Sequence, residues 1–196
     1  MPRFKLTIEY EGTRYHGWQA QKNARTIQGE IERAIRERLG VLKFEFQGGG
    51  RTDAGVHAIG QVAHLDADLR LPPEEMCGRL NDTLPPDINV LAIVPAHPRF
   101  HARHHARART YLYQISRRRT ALAKRFVWWI NDPLNVKAMR EAASCFVGMK
   151  DFQSFTRDNP GEKSTLMFVS EFAVHETGEL ILLRVTGSSS FPPTRR

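Results

Sequence analysis

A chain of 196 residues, 41% apolar and 26% charged, can bury one large core or two small ones, so disorder is excluded as the starting expectation. No window approaches the roughly 18 consecutive apolar residues that cross a bilayer, and Met1-Pro2-Arg3-Phe4-Lys5 has no signal-like apolar run; a cytoplasmic protein with no membrane partner is expected. The net charge of +8 is concentrated: nine Lys or Arg and no Asp or Glu fall between Ile88 and Asn131, the footprint of a polyphosphate partner, with nucleic acid ahead of a solvated basic face or an anionic membrane surface.

Phe4, Leu6, Ile8 and Tyr10 alternate with Arg3, Lys5, Thr7 and Glu9, the period of two that marks a strand with one buried face. Behind Thr26, a suitable N-cap, Ile27, Ile31, Ala34, Ile35 and Leu39 recur at helical spacing, with Glu32 and Arg36 paired one turn apart and Gly40 as the stop signal. Phe44 and Phe46 predict a short second strand, and residues 58–66, beyond a glycine-rich loop, a third. Pro72-Pro73 with Glu74 and Glu75 opens a second helix carrying Met76, Leu80 and Leu84 on one stripe, and Pro85-Pro86 ends it. Ile88, Val90, Ala92 and Val94 alternate as a fourth strand. The order β-α-β-β-α-β is that of a ferredoxin-like unit, one antiparallel sheet with both helices on one face and the other face free to meet RNA.

From Arg107 the pattern begins again. A strand has Tyr111, Tyr113 and Ile115 on one side, a helix carries Val136, Met139, Ala143 and Phe146, and strands at 166–175 and 179–186 flank a Thr177-Gly178 turn. After Gly187 the run Ser188-Ser189-Ser190-Phe191-Pro192-Pro193-Thr194-Arg195-Arg196 predicts neither helix nor strand. The expected fold class is α+β: two ferredoxin-like units, 1–96 and 97–196, whose antiparallel sheets flank a basic cleft, the second lacking its last helix and strand and incomplete after 187.

The densest signal is Gly48-Gly49-Gly50-Arg51-Thr52-Asp53-Ala54-Gly55-Val56-His57-Ala58, between the second and third strands. Its glycines permit positive φ and close backbone approach, so a bulky ligand can reach a tightly shaped turn bearing Asp53. The spacing is not that of a nucleotide P-loop and no helix follows, which argues against a nucleotide cofactor. An aspartate that only braces a glycine turn is the plainer alternative.

The run Gly50 to Ala58 resembles the active-site motif of the tRNA pseudouridine synthase A family. Further matches stand in the same order: Tyr15-His16-Gly17-Trp18-Gln19, Thr26-Ile27-Gln28-Gly29, Phe100-His101-Ala102-Arg103, Arg109-Thr110-Tyr111-Leu112-Tyr113 and Asp151-Phe152-Gln153-Ser154-Phe155. The resemblance spans residues 3–187. It implies a homodimer acting on uridines of the tRNA anticodon stem-loop, positions 38–40, with Asp53 as nucleophile, Tyr111 against the target base and Arg51 holding the flipped nucleotide. Conversion of uridine to pseudouridine needs no cofactor. A carboxylate can add to C1′, add to C6, or remove the C2′ proton, and the sequence leaves all three open. In the family pattern a Phe-Leu-x-x-Met-Val-Arg helix supplies a second cation; here Phe191 is followed by Pro192-Pro193, and the role is not carried to Arg195 or Arg196. A catalytically silent tRNA-binding chain is therefore the alternative reading.

By the same resemblance Arg14, His16, Arg103 and Arg109 are weaker candidates for RNA contact. His97, His101, His104 and His105 cluster without a nearby acid, and no metal is expected there; a metal-dependent nuclease using Asp53 and these histidines is the remotest reading. Arg117-Arg118-Arg119 and Lys124-Arg125 precede Phe126, Trp128 and Trp129, which fit an RNA groove or, in preference, a core or interface. Cys77 and Cys145 are expected to be buried thiols.

Overall fold

A computed structural model describes residues 1–155 and 164–188. The expectations placed on Phe191, Arg195 and Arg196 fall outside the described residues. The chain divides into two compact units, Met1–Ala106 and Arg107–Arg196.

The first unit runs β1 (Arg3–Tyr10), α1 (Ile27–Leu39), β2 (Phe44–Gly48), β3 (Ala58–Ala67), α2 (Pro73–Asn81) and β4 (Ile88–Ala96). The sheet order β2-β3-β1-β4, antiparallel throughout, fits a ferredoxin-like unit. The alternation in β1 does what its period requires: Phe4, Leu6, Ile8 and Tyr10 are buried. They meet Ile31 and Ile35 of α1, Met76 and Leu80 of α2, and Ala63 and Leu65 of β3 in one core. Helix α1 begins where the Thr26 hydroxyl accepts from Gly29 N at 3.2 Å, and it ends at Gly40 with φ +67°. Arg36 and Glu32 pair at 3.3 Å, as their spacing predicts.

Strand β4 departs from its expected alternation. Thr7 faces Ala92 while Ile8 faces Val90, so one residue bulges and the buried face shifts. Ile88, Val90 and Ile93 are buried, whereas Ala92 and Val94 are exposed. The other face of this sheet is also not wholly open. Residues 97–105 lie across it, and His64 beneath them is buried completely.

The second unit runs β5 (Arg109–Ser116), β6 (Trp128–Trp129), α3 (Val136–Ser144), β7 (Gly148–Asp151), β8 (Leu166–Thr177) and β9 (Leu180–Ser188). Its sheet order is β6-β5-β9-β8-β7. Within it β5, β9 and β8 repeat the β1, β3, β2 arrangement. The sheet is mixed and not antiparallel as expected, because β6 runs parallel to β5. A two-residue strand has no periodicity to read, and Gly148-Met149-Lys150-Asp151 lacks the β-branched residues that mark a strand, so β6 and β7 had no local signal. Asn135 caps α3 through Ala138 N at 3.0 Å. Phe146 lies just past the helix and stacks on Phe152 at 6.1 Å. The β8–β9 hairpin turns through Gly178 at φ +55°, a loop position that favours glycine. A small core joins Ile115, Val136, Ala143, Val174 and Ile181. Cys77 is half-buried, and Cys145 is exposed, contrary to expectation, because it follows the last turn of α3.

Candidate active site

The loop from Gly49 to His57 is built by close backbone approach to the chain between Glu11 and Trp18. Trp18 N donates to the Thr52 carbonyl at 3.0 Å, and Gly55 N donates to the Tyr15 carbonyl at 3.4 Å. Gly12 N donates to His57 Nδ1 at 3.1 Å. The hydroxyls of Tyr10 and Thr52 share a bond at 2.9 Å. These contacts need glycine: a Cβ on Gly17, at φ +86°, would stand 2.5 Å from the Thr52 carbonyl oxygen, and one on Gly12 would stand 2.0 Å from that of Val56. Trp18 supports the loop from below. Its indole is buried in the first core, and a Cβ on Gly48 would meet that ring at 2.5 Å.

Asp53 stands in this loop with its side chain exposed, and no hydrogen bond or ion pair holds its carboxylate among the described residues. Its carbonyl accepts from Val56 N at 3.2 Å, closing the turn. Arg51, two residues away, is exposed as well. Arg14 and His16 are exposed on the packed 11–18 segment, flanking Tyr15, which is buried. The Tyr15 hydroxyl donates to Asp87, and Arg25 covers its ring at 4.9 Å. Burial and then the Asp87 carboxylate push the Tyr15 phenol well above its ordinary range, so it donates at any physiological pH. The family resemblance brought Arg14, His16 and Arg51 forward as candidates beside Asp53; the structure carries them on two interlocked segments, 11–18 and 49–57. The bracing by Tyr10, Gly12, Gly17 and Thr52 was not anticipated, and its one available signal was glycine at both 12 and 17.

Arg103 is exposed on the 97–105 segment. That segment is held by imidazoles acting as acceptors. Ala102 N donates to His64 Nδ1 at 3.3 Å. Arg99 N donates to His97 Nδ1 at 3.1 Å, His101 N to His105 Nδ1 at 3.0 Å, and Arg103 N to His101 Nδ1 at 3.2 Å. The ring centroids of His64 and His101 are 4.8 Å apart, and those of His101 and His104 are 4.2 Å apart. With its Nδ1 accepting, neutral His64 carries its proton on Nε2, which is buried without a partner among the described residues. Burial, then Arg3 and His101, hold the His64 imidazole below its ordinary value; burial, then His104, do the same to His101. No group of three or more His, Cys, Asp or Glu among the described residues is arranged to hold a metal ion.

The model of a family described as tRNA pseudouridine synthase matches residues 6–105, the span that holds Asp53, Arg51, Arg14, His16 and Arg103. A Bacillus cereus protein named tRNA pseudouridine synthase A 2 is 40% identical over 191 residues, covering 96% of this chain and 78% of the relative. The tRNA pseudouridine synthase A proteins of Sinorhizobium fredii and Myxococcus xanthus are each 40% identical as well, with 78% and 72% of their own lengths covered. The chain belongs to the tRNA pseudouridine synthase family. Members of this family are isomerases, and this chain is an RNA-modifying isomerase of that kind.

Two candidates of this pseudouridine synthase lie beyond the 6–105 match, in the second unit. Arg109 and Tyr111 are both on β5, where Arg109 is half-buried and Tyr111 is 57% exposed. Tyr111 shares its face of the strand with Tyr113, which is 59% exposed. The Asp151-Phe152-Gln153-Ser154-Phe155 match forms a tight turn, in which Asp151 Oδ1 accepts from Gln153 N at 3.0 Å. The Thr165 hydroxyl and Gln153 N hold the Asp151 carboxyl below its usual range. No described helix is long and apolar enough to cross a membrane.

Proposed function

We propose that this chain converts uridine to pseudouridine in the tRNA anticodon stem-loop, at positions 38–40, with the Asp53 carboxylate as nucleophile. The observation that carries the reading is the loop itself, in a chain of this family. Its backbone is tied by bonds such as Trp18 N to Thr52 O at 3.0 Å, while the Asp53 side chain is left exposed. A nucleophile positioned by its main chain keeps its carboxylate available to substrate.

The reaction breaks the N1–C1′ bond, turns the uracil and joins C5 to C1′. A proton leaves C5 and one is taken up at N1, so the balance closes without cofactor, metal or redox partner. The target base leaves its stack, and Tyr111 offsets part of that cost with an aromatic face worth roughly 1–3 kcal/mol per base. Arg51 holds the flipped nucleotide. Arg14, His16, Arg103 and Arg109 contact RNA, the enzyme works as a cytoplasmic homodimer, and basic residues of both units contribute to binding.

Incubating the protein with tRNA carrying 5-tritiated uridine, in EDTA, tests the reading. Tritium release that vanishes in Asp53→Asn and disappears from tRNA lacking uridine at 38–40 is expected. Release that survives Asp53→Asn overturns the nucleophile. Tight tRNA binding without release identifies a silent binding chain, and EDTA-sensitive strand cleavage a nuclease.

A further inference from the structure

The stretch 117–129 holds five Lys or Arg and no acid, and closes on Phe126, Trp128 and Trp129. A core role would bury both tryptophans, yet Trp128 is 58% exposed and Trp129 is 43% exposed. They form the edge strand β6, where successive side chains point to opposite faces, so the two indoles stand on either side of the sheet edge. Both border a groove of about 710 Å³ together with Arg119 and Lys124. The Arg119 guanidinium lies over the Trp129 ring at 5.7 Å, within reach of a cation–π attraction. Arg117 is committed to Glu176 at 2.6 Å. Arg119 and Lys124 meet no carboxylate among the described residues. Trp128 meets Tyr113 edge to face at 6.4 Å, and Tyr113 shares its strand face with Tyr111.

We propose that this groove is an RNA subsite, taking unpaired nucleotides beside the target with their bases against Trp128 and Trp129 and their phosphates on Arg119 and Lys124. The assignment rests on the reading of the chain as an RNA-modifying enzyme and extends it to residues that reading does not use. Charge of one sign selects a polyanion, and exposed indoles select a ligand with π faces. A lipid headgroup offers the first without the second. The row Tyr111, Tyr113, Trp128 then connects the proposed base-stacking residue to the groove through rings on one sheet face.

Trp18 also emits and lies beneath the Asp53 loop, so a fluorescence change on ligand addition is assigned to Trp128 and Trp129 only where Trp128→Phe and Trp129→Phe reduce it. The test titrates octauridylate into the full chain, and into Asp53→Asn so that binding is read without turnover. Quenching that saturates and weakens with salt is expected. Trp129→Leu should weaken octauridylate binding by about fivefold or more. Arg119→Ala and Lys124→Ala should each lower the salt slope by about one. Trp129→Phe keeps an aromatic face and should restore most of the affinity, which separates stacking from damage to the edge strand. Absence of quenching in the parent chain, or variants that bind as the parent does, overturns the subsite. Self-association that shields the indoles from acrylamide overturns it too, because the face then belongs to a second copy. Tritium release is measured separately, so a failed isomerase reading and a failed subsite give different results.

Discussion

Gly17 sits at φ +86° with its missing Cβ 2.5 Å from the Thr52 carbonyl oxygen, one residue from Asp53. An alanine there pays roughly 1–2 kcal/mol for the left-handed backbone alone and must also push the loop away. Gly17→Ala should therefore cut turnover at least tenfold, with little change in the melting of the sheet, as read by tritium release beside a thermal scan. Gly48→Ala acts differently, because its Cβ would meet the buried Trp18 ring at 2.5 Å. Overpacking of that kind costs about 1–3 kcal/mol, so a lower melting temperature and altered Trp18 emission are expected. At this scale the loop that carries the candidate site was legible. Asp53 and Arg51 stand in a dense local motif, and a motif is a property of neighbours in sequence. The partners of that motif were not legible, since Gly12 and Gly17 touch a loop some forty residues away and carry no side chain to announce it.

The 97–105 segment is an element defined by its acceptors and not by regular structure. Each Nδ1 that accepts a backbone N–H loses that capacity when the ring is protonated, and a second charge beside His64 meets Arg3 and His101. Asp66, held below the usual carboxyl range by Arg3, and Glu45 oppose this only in part. The folded values of His64 and His101 lie below the unfolded one, so the unfolded chain binds more protons as pH falls. Stability supplied here is complete above about pH 6.5 and is lost below it, down to the depressed folded values. Relative to the intrinsic base-catalysed rate at each pH, the protection of the Ala102 amide should fall as pH drops from 7.5 to 5.5, and His64→Gln should flatten that dependence; protection unaffected by pH in this range would contradict the account. Because a Cβ on Gly49 would lie 3.1 Å from the Ala102 carbonyl oxygen, loosening the segment also loosens the base of the Asp53 loop. The histidine cluster was visible in the sequence. Its internal backbone-acceptor bonds are local, but the bond that ties the segment to the sheet, Ala102 N to His64, depends on β3, some forty residues earlier.

At the scale of the molecule the two units differ in how much they bury. The first joins residues of all four strands and both helices in one core, whereas the described core of the second rests on Ile115, Val136, Ala143, Val174 and Ile181. Amides of β5, β8 and β9 should therefore exchange before those of β1 and β3 in native-state hydrogen exchange, and equal protection would count against it. The first unit could be laid out from the sequence because each element carries its own period and stop signal: β1 alternates, α1 opens on Thr26 and closes on Gly40, and α2 opens on Pro73. Periodicity is local chemistry, and local chemistry needs no fold to be read. The bulge that turns β4, the parallel pairing of Trp128-Trp129 with β5 and the burial of His64 arise from register and from packing between distant segments. Those are pairwise relations across the chain, and the tertiary structure alone decides them, because no window of sequence contains both partners.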